Sequence, residues 1–182
     1  EHRVSMAGTN ADSFYGIQSV ANVADLSKGA VSELFLSREP MQIFRRGFTI
    51  FLLNDRGQVQ VVDCNNPRAP KLSGLLPYQT VSHMEMQGSI AYLLLDRPGA
   101  QVGKLVVVDL GAPDQPRELA QLELPKDAVS FFFIDSKLVV YTNSRGYEGV
   151  HGVHLYDLTE NLQLHPLGRA VSPSLRTRFL QS

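Results

Sequence analysis

A single cysteine, Cys64, stands in a chain of 182 residues, so no internal disulfide can form and packing alone must hold the fold. That permits the cytosol and does not exclude the periplasm or the cell exterior. An excess of one charge is also missing. Seventeen Lys and Arg oppose 18 Asp and Glu for a net charge of -1, so no global field draws the chain toward nucleic acid or an anionic membrane, and neither is expected as a partner. Long apolar runs are absent too: "TIFLLN" and "IAYLLL" are far short of the roughly 20 residues a membrane helix needs, and membrane insertion is not expected. Nor does any segment hold an i, i+3, i+4, i+7 apolar stripe for three turns. The best helical candidate is "SVANVADLSKGAVSELFL" (residues 19–36), rich in helix formers, but its place in the repeat described next argues for strands.

What is present is repetition. With 43% hydrophobic residues the chain can bury a core as one domain or as part of a larger one. "QVQVVDCNNPRAP" (residues 58–70) returns 46 residues later as "KLVVVDLGAPDQP" (residues 104–116), with Asp63 and Asp109, Pro67 and Pro113, Pro70 and Pro116 at matching offsets. Three further stretches align without gaps: "GFTIFLLNDR" (47–56), "GSIAYLLLDR" (88–97) and "SKLVVYTNSR" (136–145). After each comes a strand starting near Gly57, Gly103 or Gly152; a weaker copy, "GIQSVAN", starts at Gly16. Periods of roughly 40 to 50 residues mark propellers or solenoids.

Within a unit the pattern yields four short strands, a to d, bounded by turn chemistry. Strand a is expected over 38–46, 79–87, 126–135 and 172–181, and strand d over 30–36, 71–76, 117–124 and 164–168. The first proline after strand c ends ladder pairing, and the second marks entry into an edge strand, where an N–H is dispensable. Asp63 and Asp109 stand where a carboxylate accepts from the N–H groups of the turn. The chain opens with "RVSMAGTN" (3–10), which resembles strand b, and closes with "SLRTRFLQS" (174–182), which resembles strand a. The expected fold is therefore an all-β propeller of four-stranded blades, with about four repeat units (16–56, 57–102, 103–151, and 152–182 with 1–15) and one blade split between the termini. A slice of a larger ring, or two copies completing one another, fits the same count.

"GSIAYLLLDR" followed by "GKLVVVDLGAPDQPRELAQLELP" resembles the LVIVD repeat family of β-propellers. The likeness covers residues 47–125 well, 130–168 partly and the first 40 poorly. Asn161 and Leu164 replace the prolines in the last unit, and Gly29 and Ser32 stand in their place in the first. The resemblance implies a secreted, cell-surface or periplasmic location, a binding role and no named substrate. It also implies a ring of more than four blades.

Candidate sites follow from where the repeat places polar residues. Arg56, Arg97 and Arg145 recur at the b to c turn and would share one face of a ring, a pattern suited to carboxylates or other anions. Tyr147, in the glycine-flanked insertion of the third unit, is a candidate anchor beside them. The alternatives are local pairing of each arginine with a carboxylate or solvent, which is the reading preferred for the arginines, and a tyrosine folded back on its neighbour. His83 and Glu85 lie two apart on a strand a, the innermost strand of a blade, and are candidates for a central channel. The gapless alignment gives Gln42 and Phe131 as equivalents of His83. His151 and His154 point to opposite strand faces, so no metal site is expected, and no cofactor is indicated. Cys64 lacks an identifiable base. These readings favour a non-enzymatic scaffold for an unidentified protein or small ligand, with a homodimer or association with another propeller segment left open; an enzyme or metal site at His83 and Glu85 is the alternative.

Overall fold

The computed structural model describes residues 15–19, 32–96, 102–143 and 150–173. Fourteen strands and no helix occupy them, and the chain divides into two compact units, residues 1–79 and 80–182. The first unit holds β1 (Tyr15–Ser19) paired antiparallel with β2 (Ser32–Leu36), then a meander of β3 (Pro40–Arg46), β4 (Thr49–Asn54), β5 (Val59–Asp63) and β6 (Lys71–Leu75). The second holds two such meanders: β7 (Val81–Gln87), β8 (Ile90–Leu95), β9 (Gly103–Asp109) and β10 (Arg117–Leu124), then β11 (Ala128–Ile134), β12 (Lys137–Asn143), β13 (Val150–Leu158) and β14 (Leu164–Pro173). Each four-stranded sheet follows chain order, strand a to strand d. The sequence repeat was framed from strand c, so each expected unit joins the last two strands of one sheet to the first two of the next.

Among the described residues, three four-stranded sheets and one two-stranded sheet therefore stand where four blades were expected. The expected closing strands, 3–10 and 174–182, lie outside the described residues, as does most of the fourth strand a. Ser172 and Pro173 belong to β14, which outruns its expected end at residue 168. The helical alternative over 19–36 is replaced by β2 at its C-terminal end, and 20–31 are outside the described residues.

The sheets are copies down to single hydrogen bonds. Asp55 N–H donates to Glu39 O, Asp96 N–H to Thr80 O and Asn143 N–H to Asp127 O, at 3.2, 2.7 and 2.9 Å. Cys64, Leu110 and Leu158 N–H donate likewise to Phe48, Ser89 and Ser136 O. Every a–b pair shifts register at the same place, skipping Met41, Ser82 and Val129, and every c–d pair skips Ser73, Leu119 and Leu167. Such bulges bend the strand and raise its twist.

This register corrects the gapless alignment of the third copy by one residue. The a–b hairpin turns on a left-handed residue, Gly47 (φ 57°), Gly88 (φ 61°) and then Asp135 (φ 53°), not on Ser136. Aspartate tolerates that region where most side chains do not, so the turn survives without its glycine signal. Because strand faces alternate, the slip matters: the equivalent of His83, which pairs with Leu94, is Ser130, which pairs with Tyr141, and not Phe131.

Asp63 and Asp109 do what their position suggested. Asp63 Oδ1 accepts from Asn65 N–H and Asp109 Oδ1 from Gly111 N–H, each at 2.8 Å. Those bonds hold both carboxyls below the usual carboxylate range, with Lys71 (3.5 Å) and Arg117 (3.3 Å) adding to the effect. Pro70 and Pro116 directly precede the edge strands β6 and β10.

Cores form where sheet faces meet inside each unit. In the first, Leu34 and Leu36 of β2 pack on Ile50, Leu52, Val62 and Cys64. In the second, Tyr92, Leu94, Leu105 and Val107 pack on Phe131, Leu138 and Val140, with Phe133 against Tyr92 at 4.6 Å between ring centroids. Each such side chain, fully buried, contributes roughly 1.5–3 kcal/mol relative to exposure.

Candidate functional site

At the strand-c end of the last sheet, four elements leave a shallow cleft of about 230 Å³. The turn between β10 and β11 supplies Lys126 and Asp127, β12 supplies Thr142, β13 supplies Gly152 and His154, and β14 supplies Arg169. Local chemistry explains the space. The turn is pinned by Ala128 N–H donating to Pro125 O (3.0 Å) and by Asn143 N–H donating to Asp127 O, so its side chains are fixed against the end of β12. Gly152 forms the floor: a Cβ there would sit 2.5 Å from Thr142 Oγ1 and 3.3 Å from His154 Nε2. Its neighbours in the pairing are Thr142 on one side and Val171 on the other. His154 stacks nearly parallel on Tyr156, 6.4 Å between centroids and 10° between planes, which fixes the imidazole at the cleft wall. Two permanent cations and an imidazole thus face one carboxylate around a buried hydroxyl, an arrangement that favours anionic guests.

In the preceding sheet the register matches Lys104 to Gly152, and Gly103, one residue earlier, is glycine for a different reason. Its Cβ would lie 2.7 Å from Pro125 O, a backbone atom, so there the missing side chain admits the turn itself.

Of the sequence candidates, Arg56 is exposed at the β4 to β5 turn. The turn is organised by the buried Asn54, whose Oδ1 accepts from Arg56 N–H and Gln58 N–H, each at 3.0 Å. Arg97, Arg145 and Tyr147 lie outside the described residues. His83 and Glu85 are brought together, with 3.6 Å between Nε2 and Oε1, and His83 also meets Phe131 edge-on at 5.1 Å. They sit on the β7 face turned toward the last sheet, and β7 runs beside β11, as first strands of neighbouring blades do.

His151 and His154 do point to opposite faces: His151 shares a 2.6 Å hydrogen bond between its Nδ1 and the Tyr141 hydroxyl, while His154 lines the cleft. Among the described residues no three His, Cys, Asp or Glu are grouped to hold a metal. Cys64 is buried, and desolvation pushes its thiol above the ordinary value, opposite to what an activated nucleophile needs. Lys126, Thr142 and Arg169 are not legible as a group in the sequence because they come from one turn and two strands whose convergence no spacing encodes. Gly152 and His154 carry a repeat signal and a histidine signal in the sequence, but neither signal marks them as neighbours of those residues.

No known family matches the sequence, and no curated protein matches it. Solved structures do match in fold. The N-terminal domain of Nup159, a β-propeller, superposes with a TM-score of 0.56 at 11% identity over 80% of this chain and 41% of that one. A chain in the S. cerevisiae complex of Dbp5 bound to Nup159, Gle1, IP6 and ADP superposes with a TM-score of 0.50 at 10% identity, over 80% of this chain and 39% of that one. The chain thus spans about two fifths of the structures it matches, and its fold is propeller-like.

Proposed function

We propose that this chain is a non-enzymatic binding module of propeller type that receives an acidic segment of a partner protein in the cleft between the β10 to β11 turn and the last sheet. The observation that carries the reading is the meeting of Lys126, His154 and Arg169 around the Gly152 floor. Glutamate or aspartate side chains of a partner satisfy the guanidinium in a bidentate manner and the ammonium as a point charge. Propeller-like neighbours, one of them in a complex with Dbp5, agree with a protein-binding role in general. Arg145 and Tyr147 extend the proposal, since the insertion that carries them joins the two strands supplying Thr142 and Gly152.

Titration of the chain with a glutamate-rich peptide, read by calorimetry at low salt, tests the site. Lys126→Ala with Arg169→Ala is expected to weaken binding at least tenfold without lowering Tm, and added salt to weaken the wild type further. Equal affinity of the double variant, or no binding of any acidic peptide, would sink the assignment. Arg56→Ala, in the other unit, is expected to leave the affinity unchanged.

A second reading places chemistry at His83 and Glu85 and rests on their 3.6 Å approach. It predicts a pH-dependent activity abolished in His83→Ala and retained in Lys126→Ala.

A further inference from the structure

Four positions of the repeat line one face of each four-stranded sheet, two on strand b and two on strand c. In the first sheet they are Phe51, Leu53, Val59 and Val61, exposed by 0, 2, 0 and 4%; in the second, Tyr92, Leu94, Leu105 and Val107, exposed by 5, 1, 0 and 0%. Pairing register gives their counterparts in the last sheet as Val139, Tyr141, Val153 and Leu155. All four remain apolar or aromatic, yet Val153 is 44% exposed and only Val139 is buried. Beside them on β11, Phe132 (47%) and Ile134 (54%) widen the same face into one open apolar surface. The second sheet uses this face to pack against the last one. The last sheet keeps the surface and lacks the covering layer among the described residues.

We propose that this face is a sheet-on-sheet interface and that its occupant is a second copy of this chain. Three observations select a second copy. The surface is self-complementary: an apolar centre is edged by one base and one acid, Lys137 and Asp157, 3.9 Å apart and each about half exposed. A two-fold axis through such a patch sets the base of each copy against the acid of the other. With a net charge of -1, two copies meet no long-range repulsion. And the propeller-like structures it matches are covered to only 39 to 41%, so a fold of this type seats further sheets beside the ones described. The interface is independent of the acidic-peptide cleft, which lies toward the opposite face of the sheet.

Light scattering coupled to size exclusion, across a hundredfold range of concentration, is the test. The wild type is expected to rise from the chain mass of 20.1 kDa toward twice that value. Val153→Glu, which sets a carboxylate at the centre of the face, is expected to weaken association at least tenfold while the far-ultraviolet spectrum and Tm of the dilute protein are kept. Ile134→Glu, nearer the rim, supplies the same readout should Val153→Glu fail to fold. Leu72→Glu, equally exposed on β6 of the first unit, is expected to associate like the wild type. A wild type that stays at the chain mass throughout overturns the proposal, and so does association that survives both changes to the face or is lost equally in Leu72→Glu.

Discussion

The middle and last four-stranded sheets are built on one register, and they differ in what their faces meet. Strands β8 and β9 are buried on both sides, with Ala91, Leu93, Val106 and Val108 on one face and Tyr92, Leu94, Leu105 and Val107 on the other, none more than 5% exposed. Their sequences, "IAYLLL" and "GKLVVVD", are accordingly continuous apolar runs. The last sheet buries Leu138 and Val140 in the shared core and leaves Val153 open on the reverse. Its third strand reads "VHGVHLYDL", interrupted by polar residues and glycine. A repeat fixes backbone geometry at every copy, while side chains record how many neighbours each copy has.

Substitutions at matched positions sharpen this contrast. Leu105→Ala in the middle sheet is expected to cost about 2–5 kcal/mol in urea unfolding, because a fully buried leucine leaves a cavity. Val153→Ala, its counterpart, is expected to cost about 1 kcal/mol or less in dilute solution, mostly strand propensity. Similar costs at the two positions would mean that the outer face is covered in the isolated chain.

Two glycines near the start of strand c, one residue out of register with each other, separate next. Gly103→Ala pushes a methyl onto a backbone carbonyl and is expected to cost about 1–3 kcal/mol, whereas Gly152→Ala meets a threonine hydroxyl that can rotate and is expected to cost less. If Gly152→Ala nevertheless weakens peptide binding more than it lowers Tm, the floor of the cleft is part of the recognition surface.

At the a to b hairpin, Asp135→Gly is expected to raise stability by up to about 1 kcal/mol and Gly88→Ala to lower it by a similar amount, since both residues hold positive φ. A loss on Asp135→Gly would overturn the register on which the comparison of sheets rests.

The smallest effect concerns the turns after strand c. Asp63 and Asp109 have folded pKa values depressed by backbone N–H donors, so the unfolded chain binds protons first as pH falls. Their stabilisation is complete above the unfolded value near 3.8 and fades as pH drops through the lower folded value. Asp109→Ala is therefore expected to lower Tm at neutral pH and to flatten its decline in acid. An unchanged slope would show that the cap is not linked to folding.

Much of this architecture was legible because it is local. Continuous five- and six-residue apolar runs identified strands b and c, and proline at fixed offsets located the start of β6 and β10 within one residue. The third copy was misaligned because its hairpin carries Asp135 where the others carry glycine, and a gapless comparison then settled on Ser136. That slip sent the equivalent of His83 to Phe131, yet Phe131 is in fact its neighbour across the sheets. The recurring bulges at Met41, Ser82 and Val129 share no residue type, so nothing in composition announced them. His83 and Glu85 were placed side by side correctly because two residues on one strand share a face by geometry alone. The cationic cleft was not legible, because Lys126 and Arg169 lie 43 positions apart and are joined only by the pairing of three strands.

The sequence by itself determined an all-β chain of repeated four-strand phrases and the capped turns that end them, because alternation, apolar runs and proline act within a few residues. Only the tertiary structure decided the register of the third copy, the meeting of Lys126, His154 and Arg169, and the open face around Val153. Those depend on which strand lies beside which and on what covers a face, and both are set by packing between residues far apart in the chain.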